Sequence, residues 1–303
     1  MQYAWNGTDG SYTDAANWTP EGVPLYGGGA SAVIQSGTVT LSDTKPNDIV
    51  IALAGRTEDG QPNLVLDNAA FGPGVLLTLV STANALLGGA PDLGFATLTV
   101  DGYDTNEGSV SLGGRQTNPD FLTVAISPYG QLNQEGTINV FNGSQLRVTG
   151  TGEAPATLNN DGTIGLGGGF ATISADVVGS GTIAFLPFPT GSGSVEFGGG
   201  VAATQHVAFS PTSPAQIRID DPAAFHGVID GFQGSPGGPG AFYTVTLADT
   251  QATGTYFAQV TPDAGALLVL NGQEVVRALT VTGTHAPNSF GFFNNPDGST
   301  TLT

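Results

Sequence analysis

One tripeptide constrains this chain more than any other feature. Gly-Thr-Ile recurs at Gly136-Thr137-Ile138, Gly162-Thr163-Ile164 and Gly181-Thr182-Ile183, first 26 and then 19 residues apart. Two copies close longer matching frames, Leu132-Asn133-Gln134-Glu135-Gly136-Thr137-Ile138 and Leu158-Asn159-Asn160-Asp161-Gly162-Thr163-Ile164. A quasi-period of roughly 20–25 residues with glycine turns and an apolar residue beside each turn fits one rung of a parallel β-helix. Glycine supplies the left-handed corners, and Asn before a turn tolerates them.

The rest of the chain reads the same way. Ser36-Gly37-Thr38-Val39-Thr40-Leu41, Ala96-Thr97-Leu98-Thr99-Val100, Ser109-Val110-Ser111-Leu112, Gln145-Leu146-Arg147-Val148 and Tyr243-Thr244-Val245-Thr246-Leu247 alternate with period two between Gly, Asn and Asp. Such runs are strands, and no long stretch has helical periodicity. The expected fold is all-β: a parallel β-helix (β-solenoid) of roughly 12 rungs. At about 4.8 Å per rung its length is about 60 Å. A β-sandwich or jelly roll is the competing arrangement, because the repeat spacing is irregular and such folds also alternate short strands with turns.

The ends differ from the middle. Residues 1–32 hold both tryptophans, Trp5 and Trp18, and read as an aromatic cap. Residues 33–220 carry the rungs. Residues 221–303 lose the Gly-Thr-Ile pattern and concentrate aromatics at Phe225, Phe232, Phe242, Tyr243, Tyr256, Phe257, Phe290, Phe292 and Phe293. This third segment is a β-rich end, set off by the loop at 231–240 or continuous with the stack. Its clustered Phe residues read as core rather than as a sugar-stacking platform.

Charge narrows the partners. The 303 residues carry 6 Lys+Arg against 25 Asp+Glu, a net charge of −19. Lys45, Arg56, Arg115, Arg147, Arg218 and Arg277 are scattered, so there is no basic cluster for nucleic acid. Anionic membranes and polyuronates are disfavoured for the same reason, while an acidic surface favours solubility and weak divalent-cation binding. Cys is absent, so disulfides and thiolate metal sites are excluded. The opening MQYAWNGTDG has neither a basic region nor an apolar run, and so is not a signal peptide; a removed leader or another export signal is expected. No apolar stretch reaches the roughly 20 residues of a membrane helix, so no membrane insertion is expected.

Trp5-Asn6-Gly7, Gly10-Ser11-Tyr12, Asn17-Trp18 and Pro24 resemble the opening of passenger-type repeats in bacterial autotransporters and hemolysin-like adhesins. The Leu-Asn-Asn-Asp-Gly-Thr-Ile frame resembles their rung repeat. Asp221-Pro222 with Phe225, Gly227, Ile229 and Gly231-Phe232 resembles an element that follows the helix. Leu279-Thr280-Val281-Thr282-Gly283-Thr284, with Phe290 and Asp297-Gly298, resembles a closing strand pair. The resemblance implies a β-helical fold, an extracellular or cell-surface location and adhesive, matrix or structural roles. It supplies no catalytic residue. The outer-membrane barrel and the calcium-binding glycine repeats of larger examples are missing from this sequence.

Candidate sites are few. Asp101, Asp104, Asn106 and Glu107 crowd hard oxygen donors into a short segment and are the candidate Ca²⁺ ligands, although their spacing is not that of an EF-hand; the alternative is a solvated turn. Asp9, Asp14 and Asn17 form a looser cluster. Glycan cleavage needs two carboxyl groups about 5–9.5 Å apart. Asp220 and Asp221 are neighbours that alternate faces in a strand and suit a turn before Pro222 better. His206, His226 and His285 lack zinc-ligand spacing, and no nucleophile elbow or phosphate loop is present. The sequons at Asn6, Asn17 and Asn142 read as turns.

The expected function is therefore a non-enzymatic, extracellular surface protein, adhesive or self-assembling. Its expected partners are further copies of itself, as homo-oligomer or filament, and surface glycans. A glycan-binding or glycan-cleaving β-helix of tailspike or secreted-hydrolase type is the alternative. Flat threonine rows that bind ice are a third option, but the Thr spacing is not regular enough to favour it.

Overall fold

The computed structural model describes residues 1–303 except 8, 25, 55–60, 80–93, 114–118, 129, 153–155, 189–190 and 234–242. Among the described residues the strands form sheets of 14, 12 and 5 strands. These are the long, second and short faces of a parallel β-solenoid. One rung shows the path. Gln131–Gln134 lies on the short face, Thr137–Phe141 on the long face and Gln145–Gly150 on the second face. Thr157–Asn160, Thr163–Gly167 and Phe170–Ile173 repeat it one level on.

Strand alternation builds the core. On the long face, eleven residues stack in register: Tyr3, Ala32, Ile51, Leu77, Val110, Ile138, Ile164, Ile183, Val207, Ile229 and Val281. Tyr3 is partly buried and the other ten are fully buried. The Ile of Gly-Thr-Ile belongs to this column, and its Thr points outward. On the second face Leu64, Leu98, Val124, Val148, Ile173, Phe197, Ile219 and Leu247 form the matching inner column. Eleven levels at about 4.8 Å give a stack of about 50 Å.

The irregular period is absorbed at the corners. Equivalent residues lie 19 apart from Ser31 to Val50 but 33 apart from Leu76 to Ser109. Register is held because a one-residue slip would turn every buried side chain outward.

Antiparallel pairs finish the long face at both ends and the second face at its C-terminal end. At the N-terminal end Gln2–Trp5 pairs with Trp18–Thr19, and Trp18 packs edge-on against Trp5 and Tyr12 with ring centroids 5.0 Å from each. The Trp18 indole donates to the Tyr12 carbonyl at 2.8 Å, and the Tyr12 hydroxyl donates to the Pro24 carbonyl at 2.8 Å. At the other end Gly254–Thr261, Ala264–Asn271 and Glu274–Thr282 form a meander that extends the long face. Thr300–Leu302 and Phe292–Asn294 finish the second face. Buried rings run through this end: Phe185, Phe209, Phe232 and Phe290 stack in succession at 5.2, 5.5 and 5.2 Å. Among the described residues no helix is long and apolar enough to cross a membrane.

Candidate functional site

The acidic segment lies at a corner of the short face. Tyr103–Asn106 is a strand, so its side chains alternate. Tyr103 projects to solvent, 69% exposed, while Asp104 and Asn106 point inward and are buried. Asp104 shares a column with Leu132, Leu158 and Val177. Its Oδ1 accepts from the Ala69 amide at 2.7 Å, and its Oδ2 has no hydrogen-bond partner. Burial pushes this carboxyl up to about 6, seconded by the charges of Asp67 and Asp101 and opposed by hydrogen bonds from the Ala69 and Gly102 backbone.

Asn106 sits over Phe71, and its amide donates to Gln134 Oε1 at 2.6 Å. Asn160, next in the column, donates to Gln205 Oε1 at 2.9 Å. These buried amides satisfy corner backbone groups: Asn106 Oδ1 accepts from the Gly108 amide, and Gln205 Nε2 donates to the carbonyls of Asn160 and Val178. Glu107 pairs with Lys45, both half-exposed. Asp101 is exposed. The four candidate Ca²⁺ ligands are thus divided between core, corner ladder and surface. Among the described residues no group of three or more His, Cys, Asp or Glu is placed to hold a metal ion.

The Lys45–Glu107 pair gives a small, checkable expectation. Lys45→Ala should change stability by no more than about 1 kcal/mol, with any loss shrinking at high salt. Thermal melts at two ionic strengths measure it.

The second face carries the most developed outer surface. Phe95 and Phe121 stack with ring centroids 4.9 Å apart and planes within 8°. Gln145 and Phe170 continue their column, and Phe170 is 39% exposed. The parallel column runs Asn63, Thr97, Thr123, Arg147, Thr172, Glu196, Arg218 and Thr246. Gln61, Phe95, Phe121, Leu122, Thr123, Gln145 and Arg147 line a cavity of about 400 Å³, within the usual range for small-ligand sites. Of the described lysines and arginines, Arg147 alone has a side chain with neither a hydrogen bond nor an ion pair to another described residue.

Three levels on, Arg218 Nε contacts Asp220 Oδ1 at 2.8 Å. The Glu196 carboxyl is raised by burial, by the charge of Asp220 and by a hydrogen bond with it, against the pull of Arg218. Asp221 accepts from the Ala223 amide at 3.1 Å and turns the chain at Pro222.

The remaining candidates have local duties. Asp9 accepts from the Thr38 amide at 2.6 Å, Asp14 from the Ala16 amide at 3.1 Å, and Asn17 donates to the Ser11 carbonyl at 3.2 Å. His206 contacts Asp230 at 2.7 Å, His226 is exposed, and His285 packs edge-on to Phe257. Asn142-Gly143 forms a tight turn with φ of 56° and 80°. Arg56, Arg115 and Phe242 lie outside the described residues, as do Thr8 of the first sequon and most of the loop at 231–240.

Sequence reasoning missed the cavity, because Phe95, Phe121 and Arg147 come from three successive rungs of unequal length. It missed Asp104 as a core residue because an acid in an otherwise polar turn reads as solvated. No family model matches the chain, and neither a curated protein nor a solved structure does.

Proposed function

We propose that this chain is a non-enzymatic, extracellular surface solenoid of the kind found in autotransporter passengers and adhesins, a rigid rod that presents side-chain columns for adhesion. The observation that carries this reading is a continuous eleven-level stack whose long face finishes in antiparallel pairs at both ends and whose outer columns carry Thr, Asn, Gln and Phe. Antiparallel strands at the two ends of the long face disfavour end-to-end filaments there, because exposed parallel rung edges drive such growth. At the terminal edge strand, the Phe257 amide already donates to the Pro287 carbonyl at 2.9 Å.

Negative-stain electron microscopy and a glycan panel test the reading together. The expected result is discrete rods about 50 Å long that are retained on a surface-glycan panel without releasing reducing ends. Filaments would overturn the role given to these end strands. Catalytic release of sugar, or no retention on any glycan or cell surface, would overturn the adhesive reading.

A further inference from the structure

We propose that the cavity beside Phe95 and Phe121 binds a single carboxylate-bearing sugar, a chain end or branch of a surface glycan, with Arg147 receiving the carboxylate. The inference rests on the adhesive reading and names its ligand and site.

Three observations lead to it. The first is the cavity itself, about 400 Å³, lined by two stacked phenyl rings and by Gln61, Gln145, Thr123 and Arg147. The second is that the polar side chains are uncommitted. Gln61, Gln145 and Arg147 make no side-chain hydrogen bond to another described residue. Among the described residues nothing else claims these groups, which leaves them to a ligand. The third is charge. No acid is among the described residues that line this cavity, and the one ionised side chain among them is the Arg147 guanidinium, which has no side-chain partner among the described residues.

The ligand class follows from those groups. A guanidinium presents a planar fork of donors that matches a carboxylate in two parallel hydrogen bonds. The phenyl edges offer apolar surface for the C–H faces of a sugar ring. The Gln amides and the Thr123 hydroxyl both donate and accept, as ring hydroxyls require. A long polyuronate does not fit, because further along the face it would lay its carboxylates over Glu196 and Asp220. One acidic sugar leaves those acids uncovered. The scattered cations of the sequence argue against a polyanion, not against one anionic group placed at Arg147.

The test is binding of glucuronate and N-acetylneuraminate to the whole chain, followed by calorimetry and by saturation-transfer NMR, with glucose and acetate as controls. Wild-type protein should bind at least one acidic sugar more tightly than either control. Arg147→Gln should weaken that binding at least tenfold, and Arg147→Lys by less. Gln145→Ala should weaken the acidic sugars and leave acetate unchanged. Arg147 is exposed, so these variants should melt with the wild-type protein. Acidic-sugar binding that survives Arg147→Gln would overturn this site. Acetate binding as tight as the sugars would overturn the sugar assignment. Retention on neutral glycans alone would overturn the inference while leaving the adhesive reading intact, whereas no retention on any glycan or cell surface would defeat both.

Discussion

Gly136→Ala is expected to destabilise the solenoid by about 1–3 kcal/mol, at the upper end of what one added methyl does in a packed site. A Cβ at Gly136 would stand closer than 3.0 Å to the carbonyl oxygen of Gly108. The same relation recurs level by level, Gly162 over the Gly136 carbonyl and Gly181 over the Gly162 carbonyl. Those carbonyls are engaged: Thr137, Thr163 and Thr182 each donate a backbone hydrogen bond to the glycine carbonyl one level before, at 2.9, 3.0 and 2.9 Å. The added methyl therefore meets backbone that cannot rotate away without breaking a ladder bond. At a site with room, Gly→Ala stabilises by about 0.4–1 kcal/mol through the unfolded chain. Gly113 is such a site, with no atom of a described residue within 4 Å of its added Cβ. Urea melts should show a lower midpoint for Gly136→Ala and an unchanged or higher one for Gly113→Ala. Equal midpoints for the two would remove the steric account of the repeat.

The second large effect is a pH dependence that Asp104→Asn should abolish. The Asp104 carboxyl is raised from 3.8 to about 6 by burial. Below pH 3.8 the folded and unfolded states are both protonated, and the residue does not oppose folding. Between the two values the unfolded chain ionises while the folded protein holds its proton, so stability falls as pH rises. Above about pH 6 the loss is complete, about 3 kcal/mol for a shift of this size. Asn keeps an oxygen for the Ala69 amide and removes the charge. It also buries an amide donor that costs about 1–3 kcal/mol at every pH. The informative quantity is therefore the change in mutant-minus-wild-type stability between pH 4 and pH 8. It should favour Asn by about 2.5 kcal/mol at the higher pH, read from urea midpoints across that range. Parallel profiles for the two proteins would mean that Asp104 does not titrate in this window.

Asp104 also shows where local reading fails. As residues 101–108 the segment is a polar turn, and its oxygens suggest a cation site. Inside the stack, alternation from Tyr103 onward sends Asp104 into the column of Leu132 and Leu158, where its carboxylate serves a corner amide instead. Asn106, Gln134 and Asn160 are the same lesson in neutral form. In sequence they precede a turn; in the structure they are a buried amide column.

The sequence by itself determined the class of fold. Period-two runs, glycine corners and the Gly-Thr-Ile repeat specify strands, turns and one inward residue per rung, because these depend on neighbours a few positions apart. It also determined the acidic balance, a net charge of −19. Only the tertiary structure decided which outward residues meet. Phe95, Phe121 and Arg147, like Thr97 and Thr123, become neighbours through register between rungs of unequal length. That register is set by buried columns such as Ala96, Leu122 and Leu146, which join rungs far apart in sequence, so a site built across rungs has no local signature.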